Sequence, residues 1–221
     1  MNISLITLFC LISLSAYSQV TSFIINDDVL NKPLKDSLES IYKSDQSVRI
    51  AVSEALKSKK PKEYIDSLRA VMRQTDIINL GQVKKIIKEK GWQSPQMVGM
   101  NAAQGLFLVI QHADLQTQLE YLLRIQEVEK KGEILSSNLA ILEDRINVRQ
   151  GKIQFYGSQV FIDRLSGKQY PYPIADVDNL DTRRKSMGMP PMQTYLKDWD
   201  TERYKKDLPM IEQLVKAQGI R

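Results

Sequence analysis

Apolar side chains recur at helical spacing along the first part of the chain. Pro33 stands at a favoured first helical position, and apolar residues then return every three or four positions until the chain reaches Ser58. This pattern predicts one long amphipathic helix. Its apolar stripe is interrupted by Asp45, and a carboxylate buried without partners is costly. We therefore expect Asp45 to be paired, hydrogen-bonded or part of a site, with Arg49 one turn later as the simplest local partner.

Capping signals divide the next region into two further helices. A second helix is predicted over residues 61–78. Five residues form its expected inner face: Tyr64, Leu68, Val71, Thr75 and Ile78. Asn79 then resembles an N-cap, with Gln82 as its capping-box partner. A separate third helix should therefore begin there and stop at Gly91, a natural helix terminator.

The most apolar helix is predicted in the middle of the chain. Ser94-Pro95 signals its start, and residues 102–110 are apolar on nearly all sides, which favours a central, buried position. The helix runs into His112, and Asp114 is a plausible cap for the next helix, which should end at Gly132. A short helix is then expected over residues 136–144.

The period of the pattern changes from helix to strand after residue 144. Residues 146–148, 153–155 and 160–162 alternate in the manner of strands, followed by a turn at 164–168 and an extended segment at 169–173. This predicts a small antiparallel meander over residues 145–173, packed against the helices. Helices should return from Asp178 and end with one at 201–218 that Pro209 kinks or divides. The predicted fold class is mostly helical α+β.

The first eighteen residues have the pattern of a secretory signal peptide. Residues 3–16 are apolar or hydroxylated, a run shorter than the roughly 20 residues that span a bilayer. Ala16-Tyr17-Ser18 is a small-x-small cleavage site, so cleavage is expected near Ser18-Gln19, leaving one mature domain over residues 19–221. Cys10 would leave with the signal, and the mature chain would contain no disulfide. We expect an extracytoplasmic protein, either periplasmic or secreted.

Charge and composition narrow the classes of partner. The formal charge is +5, with Lys and Glu mixed along the chain, which favours solubility over nucleic-acid binding. No second apolar segment reaches the length of a membrane span. The expected partners are a small molecule or a component of the cell envelope, and no transmembrane span is expected in the mature chain.

The single histidine limits the chemistry available. His112 alone excludes metal sites that need two imidazoles, and no metal or cofactor is predicted. On a continuous helix the side chains of His112 and Asp114 would point about 200° apart, so they act together only if the helix breaks at Ala113. Asp114 is favoured as a cap, whereas His112 is equally consistent with a structural hydrogen bond and with proton transfer.

Six short motifs occur in one order along the chain. They are Asp45-Gln46 with Arg49, Asp76 with Asn79, Gly91-Trp92, Gln111-His112-Ala113-Asp114, Asp144-Arg145-Ile146, and Gln154-x-Tyr156-Gly157-Ser158-Gln159. This order resembles a bacterial family of unknown function, domain of unknown function 6624, over roughly residues 40–175. Residues 176–221 would be a C-terminal helical extension. Gln93 and Ser158 depart from the family pattern, which favours Pro and Thr there. The family has no established activity, so the resemblance marks positions rather than chemistry.

These residues define the candidate site, a polar pocket around His112 where the central helix ends. The expected catalytic residues are His112, Asp45 and Asp144, although Asp144 beside Arg145 is equally suited to an internal salt bridge. Eight residues are expected to bind substrate: Asp76, Asn79, Gln111, Asp114, Arg145, Gln154, Tyr156 and Gln159. Glutamine and tyrosine would recognise amide, sugar or carboxylate groups.

The sequence leaves the choice between enzyme and non-enzyme open. If the protein is an enzyme, we expect a hydrolase. The alternative is a non-catalytic binding or envelope-associated structural protein, in which the same residues form a buried hydrogen-bond network. A cation-binding domain is a third interpretation, but no carboxylate cluster has a recognisable ligand loop.

Overall fold

Helices make up most of the chain in the computed structural model, which describes residues 19–217 and 219. The predicted signal peptide lies outside the described residues. The helices are α1 (Lys32–Lys57), α2 (Lys62–Lys90), α3 (Pro95–Val98), α4 (Met100–His112), α5 (Leu115–Lys130), α6 (Ser136–Arg149), α7 (Leu180–Ser186), α8 (Met192–Tyr195) and α9 (Thr201–Ala217). The strands are β1 (Val160–Ile162) and β2 (Gln169–Pro171). The predicted mostly helical α+β class is confirmed. No helix in the described chain is long and apolar enough to cross a membrane.

Helix α1 forms as the apolar pattern predicts. Asn31 caps it by accepting a hydrogen bond from the Leu34 amide at 3.2 Å, and Pro33 fits the first turn, which needs no donor. Its buried stripe includes Leu38 and Val52, and the Asp45 side chain is buried on the same stripe. The chain therefore places a carboxylate inside the helical core.

The predicted break at Asn79 is wrong, because α2 continues through that residue as far as Lys90. Asn79 is buried inside the helix, where its Oδ1 accepts a hydrogen bond from the Ser44 hydroxyl of α1 at 3.1 Å. A side chain used in that contact does not cap a new helix. Gly91 does end the helix, as predicted, with a φ of 77°.

The predicted inner face of α2 is wrong at three of its five positions, since Leu68 and Thr75 are partly buried and the other three are not. Tyr64, Val71 and Ile78 are half-exposed, whereas Ile65 and Val83 are buried together with Asn79. The physical reason is that α2 contacts α1 partly through polar groups such as Asn79. The face that carries Asn79 therefore points toward α1, and the face that carries Val71 and Ile78 stays exposed.

The central helix occupies the core as predicted, with one interruption. Gly99 has a φ of 82° and separates the single turn α3 from α4. Ala102, Leu106 and Ile110 of α4 have no exposed surface. They join residues of α1, α2, α5 and α6 in the main apolar cluster, so α4 is the helix around which the others pack.

Helix α6 is longer than predicted and includes residues 146–148, which were expected to form a strand. Ile146 follows Leu139 and Leu142 at helical spacing, and all three are buried. The short alternation of Ile146 and Val148 was therefore part of a helical face. Asp144 and Arg145 consequently lie within a helix rather than at its end.

The predicted meander is reduced to one antiparallel hairpin. Phe161 of β1 lies opposite Tyr170 of β2, and the turn at 164–168 connects the strands as predicted. In the described chain residues 153–155 form no strand; Gln154 makes only an isolated bridge to Ile174. The Phe155 amide, which would continue the pairing beyond Gln154, instead donates to the Asp144 carboxylate, as do the amides of Tyr156 and Ser158 that follow.

A second apolar cluster joins the hairpin to the C-terminal helices. It contains Phe161, Ile174, Leu180, Met192, Tyr204 and Ile211. The Tyr204 hydroxyl accepts a hydrogen bond from the Ile174 amide at 2.7 Å. Helix α9 is undivided at Pro209. The C-terminal helices therefore share an apolar core with the only sheet of the described chain.

Candidate functional site

The candidate site is centred on a contact between α1 and the end of α4. Asp45 Oδ1 lies 3.0 Å from His112 Nδ1, although 67 residues separate them in the sequence. The Asp45 side chain is 1% exposed, whereas the His112 side chain is 18% exposed. Helix α4 ends at His112, so the imidazole stands at the boundary between the core and solvent. This geometry unites two of the three expected catalytic residues.

Asp45 is held by three neighbouring side chains. Its Oδ2 accepts hydrogen bonds from Gln46 Nε2 at 2.7 Å and from Arg49 Nε at 3.3 Å. Burial alone raises the pKa of Asp45, but the hydrogen bond and charge of His112, the charge of Arg49 and the Gln46 hydrogen bond outweigh it and lower the pKa below its ordinary value. Asp45 is therefore a carboxylate at neutral pH.

The charge of Asp45 decides the tautomer of His112. A carboxylate only accepts hydrogen bonds, so its 3.0 Å contact with Nδ1 requires a proton on that nitrogen. Arg49 Nε lies 2.9 Å from Nδ1 and 3.3 Å from Asp45 Oδ2. A protonated Nδ1 cannot accept a hydrogen bond, so Asp45 is the acceptor for Arg49 Nε. We assign the Nδ1–H tautomer on this basis. The lone pair is then on Nε2, which has no hydrogen-bond partner within the part of the chain that the structure describes.

Asp76 brings α2 into the same cluster. Its Oδ1 accepts a hydrogen bond from Arg49 Nη2 at 2.6 Å, so Arg49 bridges the carboxylates of α1 and α2. Burial raises the pKa of Asp76; the positive charge of Arg49 opposes this effect, and the negative charge of Asp45 reinforces it. The two carboxylates are thus shifted in opposite directions, an arrangement that active sites use to divide acid and base roles.

Asn79 and Gln111 lie beside this cluster without joining it. Asn79 borders a depression of about 280 Å³ between α1 and α2. Its Nδ2 is buried and lacks a hydrogen-bond partner among the described residues. The Gln111 carbonyl oxygen accepts a hydrogen bond from Gln118 Nε2 at 2.6 Å. Among the described residues, neither side chain forms a hydrogen bond with His112.

Asp114 is the helix cap that the sequence predicts. Its Oδ1 accepts a hydrogen bond from the Thr117 amide at 2.7 Å, at the start of α5. The helix breaks at Ala113, whose carbonyl oxygen accepts a hydrogen bond from Arg149 Nη1 at 2.6 Å. The break at Ala113 is therefore present. However, Asp114 uses its carboxylate Oδ1 to cap α5, and His112 pairs with Asp45 rather than with Asp114.

Asp144 is placed away from the Asp45–His112 contact. It has no exposed surface and accepts hydrogen bonds from the amides of Phe155 at 2.7 Å, Tyr156 at 3.0 Å and Ser158 at 3.0 Å. Burial raises its pKa, and these backbone donors counteract that rise. Asp144 thus fixes the backbone of the 155–158 loop and has neither solvent access nor a contact with His112.

Gln154 has a similar structural position. It is buried, and its Nε2 donates to the carbonyl oxygens of Gln159 and Tyr172, each at 2.9 Å. Its Oε1 accepts from the Gln159 amide at 2.8 Å. Tyr156 is part-buried, and burial raises the pKa of its phenol to about 12. Gln154 therefore organises the backbone of the loop rather than presenting its amide to solvent.

Arg145 and Gln159 line a different cleft, which they share with Arg184 and Tyr195. Sequence reasoning missed Arg184 and Tyr195, because neither interrupts an apolar stripe and both lie outside the motifs. Burial lowers the pKa of Arg145, and the charges of Arg149 and Arg49 lower it further. Within the described residues, no group of three or more His, Cys, Asp or Glu side chains is placed to hold a metal ion.

Comparison with known proteins identifies one family. The model of a family of unknown function, DUF6624, matches residues 32–206. The match begins at the start of α1 and extends into α9, so it also covers most of the segment expected to be an extension. No curated protein and no solved structure matches the chain.

Proposed function

Since the chain belongs to DUF6624, a family of unknown function, we propose its activity from its own site: an acid–base enzyme in which His112 transfers the proton. The observation that carries the proposal is the 3.0 Å contact between a buried carboxylate, Asp45, and the Nδ1 of an imidazole that reaches solvent. A buried carboxylate behind a histidine fixes the tautomer and stabilises the imidazolium that forms during proton transfer.

The proposed reaction is hydrolysis. His112 Nε2 takes a proton from a water molecule while the water oxygen bonds to the electrophilic atom of the substrate. The imidazolium then returns that proton to the leaving group as its bond to the electrophilic atom breaks.

Water is the only co-reactant, which suits a protein that we propose is exported after loss of a signal peptide over residues 1–18. Gln19 and Val20 contact the folded domain, where the Val20 amide donates to Ser136 Oγ at 2.8 Å.

The remaining site residues have supporting roles in this proposal. Arg49 and Asp76 hold Asp45 in place across α1 and α2. We propose that Asp144, Gln154 and Asp114 position backbone segments and do not touch substrate. Arg145 and Gln159 line the other cleft, so we propose that they contact a small molecule bound there and take no part in proton transfer at His112. Tyr156, in the loop before Gln159, stays a proposed contact.

A binding or envelope-associated structural protein is the second candidate. The observation that favours it is that Asp45, Arg49 and Asp76 are already paired with one another and link three helices together with His112. Such a network would serve stability alone. The two candidates differ in what the free Nε2 of His112 contributes.

The variant His112→Asn separates the two candidates. The asparagine amide nitrogen takes the place of Nδ1 and can still donate to Asp45, whereas nothing replaces Nε2. The assay measures hydrolysis of nitrophenyl acetate, nitrophenyl phosphate and nitrophenyl glycosides, together with the melting temperature. An exposed control is Glu127→Gln on α5, which should behave as the wild type.

We expect the wild type to hydrolyse one of these classes and His112→Asn to lose about 10²-fold or more of that rate at an unchanged melting temperature. The proposal is wrong if no class is hydrolysed in a manner that depends on His112. No hydrolysis by the wild type, together with a His112→Asn variant as stable as the wild type because its hydrogen bond to Asp45 is kept, would support the structural network instead.

A further inference from the structure

A second cleft, of about 530 Å³, lies between α6, the segment that enters β1, and the loop between α7 and α8. Its polar wall is formed by Arg145, Ser158, Gln159, Arg184 and Tyr195. No acidic residue is among the described residues that line it. The cleft therefore carries two positive charges and only neutral hydrogen-bonding groups.

The guanidinium of Arg145 is unpaired. Among the described residues its buried Nε has no hydrogen-bond partner, and none of their carboxylates lies within ion-pair distance of it. The charges that act on it most strongly are the positive ones of Arg149 and Arg49. A part-buried cation among other cations is costly unless something outside the chain compensates it.

The opposite wall is fixed in place. Arg184 is 1% exposed, and its Nε and Nη1 donate to the carbonyl oxygens of Pro190 at 2.7 Å and Tyr156 at 2.6 Å. Both acceptors are neutral, so these bonds orient the side chain without neutralising its charge. The Tyr195 hydroxyl donates to the Ser158 carbonyl oxygen at 2.9 Å, and the Tyr195 ring lies beside Arg184, 5.4 Å from its guanidinium carbon. A cleft with such a rigid, charged wall is organised before any ligand arrives.

The cleft also has an apolar part. Ile141, Val160, Met189 and Pro190 line it together with the arginines. Its volume lies within the range of small-molecule pockets, which combine mostly apolar walls with a few placed polar groups. An inorganic anion alone would leave this apolar surface uncovered.

We propose that this cleft binds a small organic anion, whose carboxylate or phosphate oxygens pair with Arg145 and whose apolar body contacts Ile141 and Val160. A free guanidinium presents parallel N–H donors that match such oxyanions. The inference does not depend on the acid–base role of His112, which is not among the residues that line the cleft.

The test measures binding of three probes that share a ring and differ in charge: phenyl phosphate, benzoate and neutral benzyl alcohol. Calorimetric titration gives the affinity, and the melting temperature reports stabilisation by the bound probe. The variants are Arg145→Met, which removes the charge, and Arg145→Lys, which keeps a charge without the paired donors. The matched control is Arg124→Met on the exposed face of α5.

We expect one or both anions to bind the wild type and Arg124→Met, and benzyl alcohol to bind at least tenfold more weakly. Arg145→Met should weaken anion binding at least tenfold while its melting temperature without ligand stays the same or rises, because an unpaired cation has been removed. The anion affinity of Arg145→Lys should lie between those of the wild type and Arg145→Met. If Arg145→Met does not fold, the affinity of Arg145→Lys alone tests the inference. The anion that binds more tightly shows whether the cleft prefers a phosphate or a carboxylate.

Three outcomes would overturn the inference: no binding of either anion by the wild type, equal binding of benzyl alcohol, or unchanged anion affinity in both Arg145 variants. His112→Asn should bind the anions as the wild type does. Failure of the acid–base proposal and failure of this one are therefore distinguishable.

Discussion

Gly105 of α4 lies directly against Tyr42 of α1. A Cβ atom on Gly105 would stand 2.8 Å from Tyr42 Cβ and 2.9 Å from the carbonyl oxygen of Leu38. The two helices run in the same direction from this point, since Asp45 and His112 each lie seven residues, about two turns, beyond Leu38 and Gly105. The close backbone approach at Gly105 therefore helps to set the distance between the carboxylate and the imidazole.

Replacing Gly105 with alanine should separate the two helices. The added methyl group meets backbone atoms that cannot move aside singly, so we expect Gly105→Ala to lower the free energy of unfolding by about 1–3 kcal/mol in urea titrations. Gly81→Ala on α2 is the matched control, because no atom lies within 4 Å of the added Cβ. Helix propensity predicts a gain of up to about 1 kcal/mol there. Equal effects of the two substitutions would contradict the close approach.

The sequence identified the members of the site better than their arrangement. Asp45 interrupts an apolar stripe, and that single irregularity predicted a paired, buried carboxylate next to Arg49, as the structure has it. The sequence grouped Asp45 and Asp144 with His112 in one site but did not decide which carboxylate contacts the imidazole, because that depends on how closely α1 and α4 approach. Asp144 was expected to be catalytic, but it binds the amides of a loop. The sequence does not distinguish these two roles, because a buried carboxylate looks the same in the sequence in both cases.

The errors in the fold have one physical origin. The local pattern resembles a cap at Asn79 and an alternation at residues 146–148, but both predictions are wrong because tertiary contacts decide the structure at these positions. Asn79 receives a hydrogen bond from Ser44 inside a continuous helix, and Ile146 completes the helical stripe that Leu142 begins. Short-range signals of about 1 kcal/mol are easily outweighed by burial of such residues.

Removing the charge of Asp45 should cost more stability than removing any exposed carboxylate. We expect Asp45→Asn to lower the free energy of unfolding by about 1.5–3 kcal/mol at neutral pH, because His112 would lose a charged acceptor, whereas Arg49 would keep Asp76 as its partner. Asp66→Asn on α2 removes one exposed partner of Lys62 and Arg69 and should change stability little. A similar effect of both substitutions in urea unfolding would show that the buried network contributes nothing.

The two carboxylates of the site should have opposite pH dependence. The pKa of Asp45 is lowered from 3.8, so its stabilisation is complete above that value and is lost as pH falls through the lower pKa of the folded state. The pKa of Asp76 is raised, so its stabilisation is complete below 3.8 and is lost as pH rises through the higher folded pKa.

Unfolding of the wild type, Asp45→Asn and Asp76→Asn should be compared from about pH 6 to about pH 3. The stability advantage of the wild type over Asp45→Asn should shrink towards acid pH, and its advantage over Asp76→Asn should grow. The same slope for both variants would contradict the assigned shifts.

Asp144 should stabilise the 155–158 loop rather than serve a reaction. Asp144→Ala leaves the amides of Phe155, Tyr156 and Ser158 without their acceptor in a buried setting, and each such loss costs about 1–3 kcal/mol before the loop relaxes. We therefore expect a large loss of stability and fast hydrogen exchange at these three amides, while the amides of α1 and α4 keep their relative protection.

Asp163→Ala is the control, because it removes a carboxylate that also accepts backbone hydrogen bonds, from Leu165 and Ser166 in the hairpin turn. It should release its own turn and leave residues 155–158 protected. If Asp144→Ala leaves the exchange of these amides unchanged, the carboxylate does not hold the loop, and its burial beside Arg145 needs another explanation.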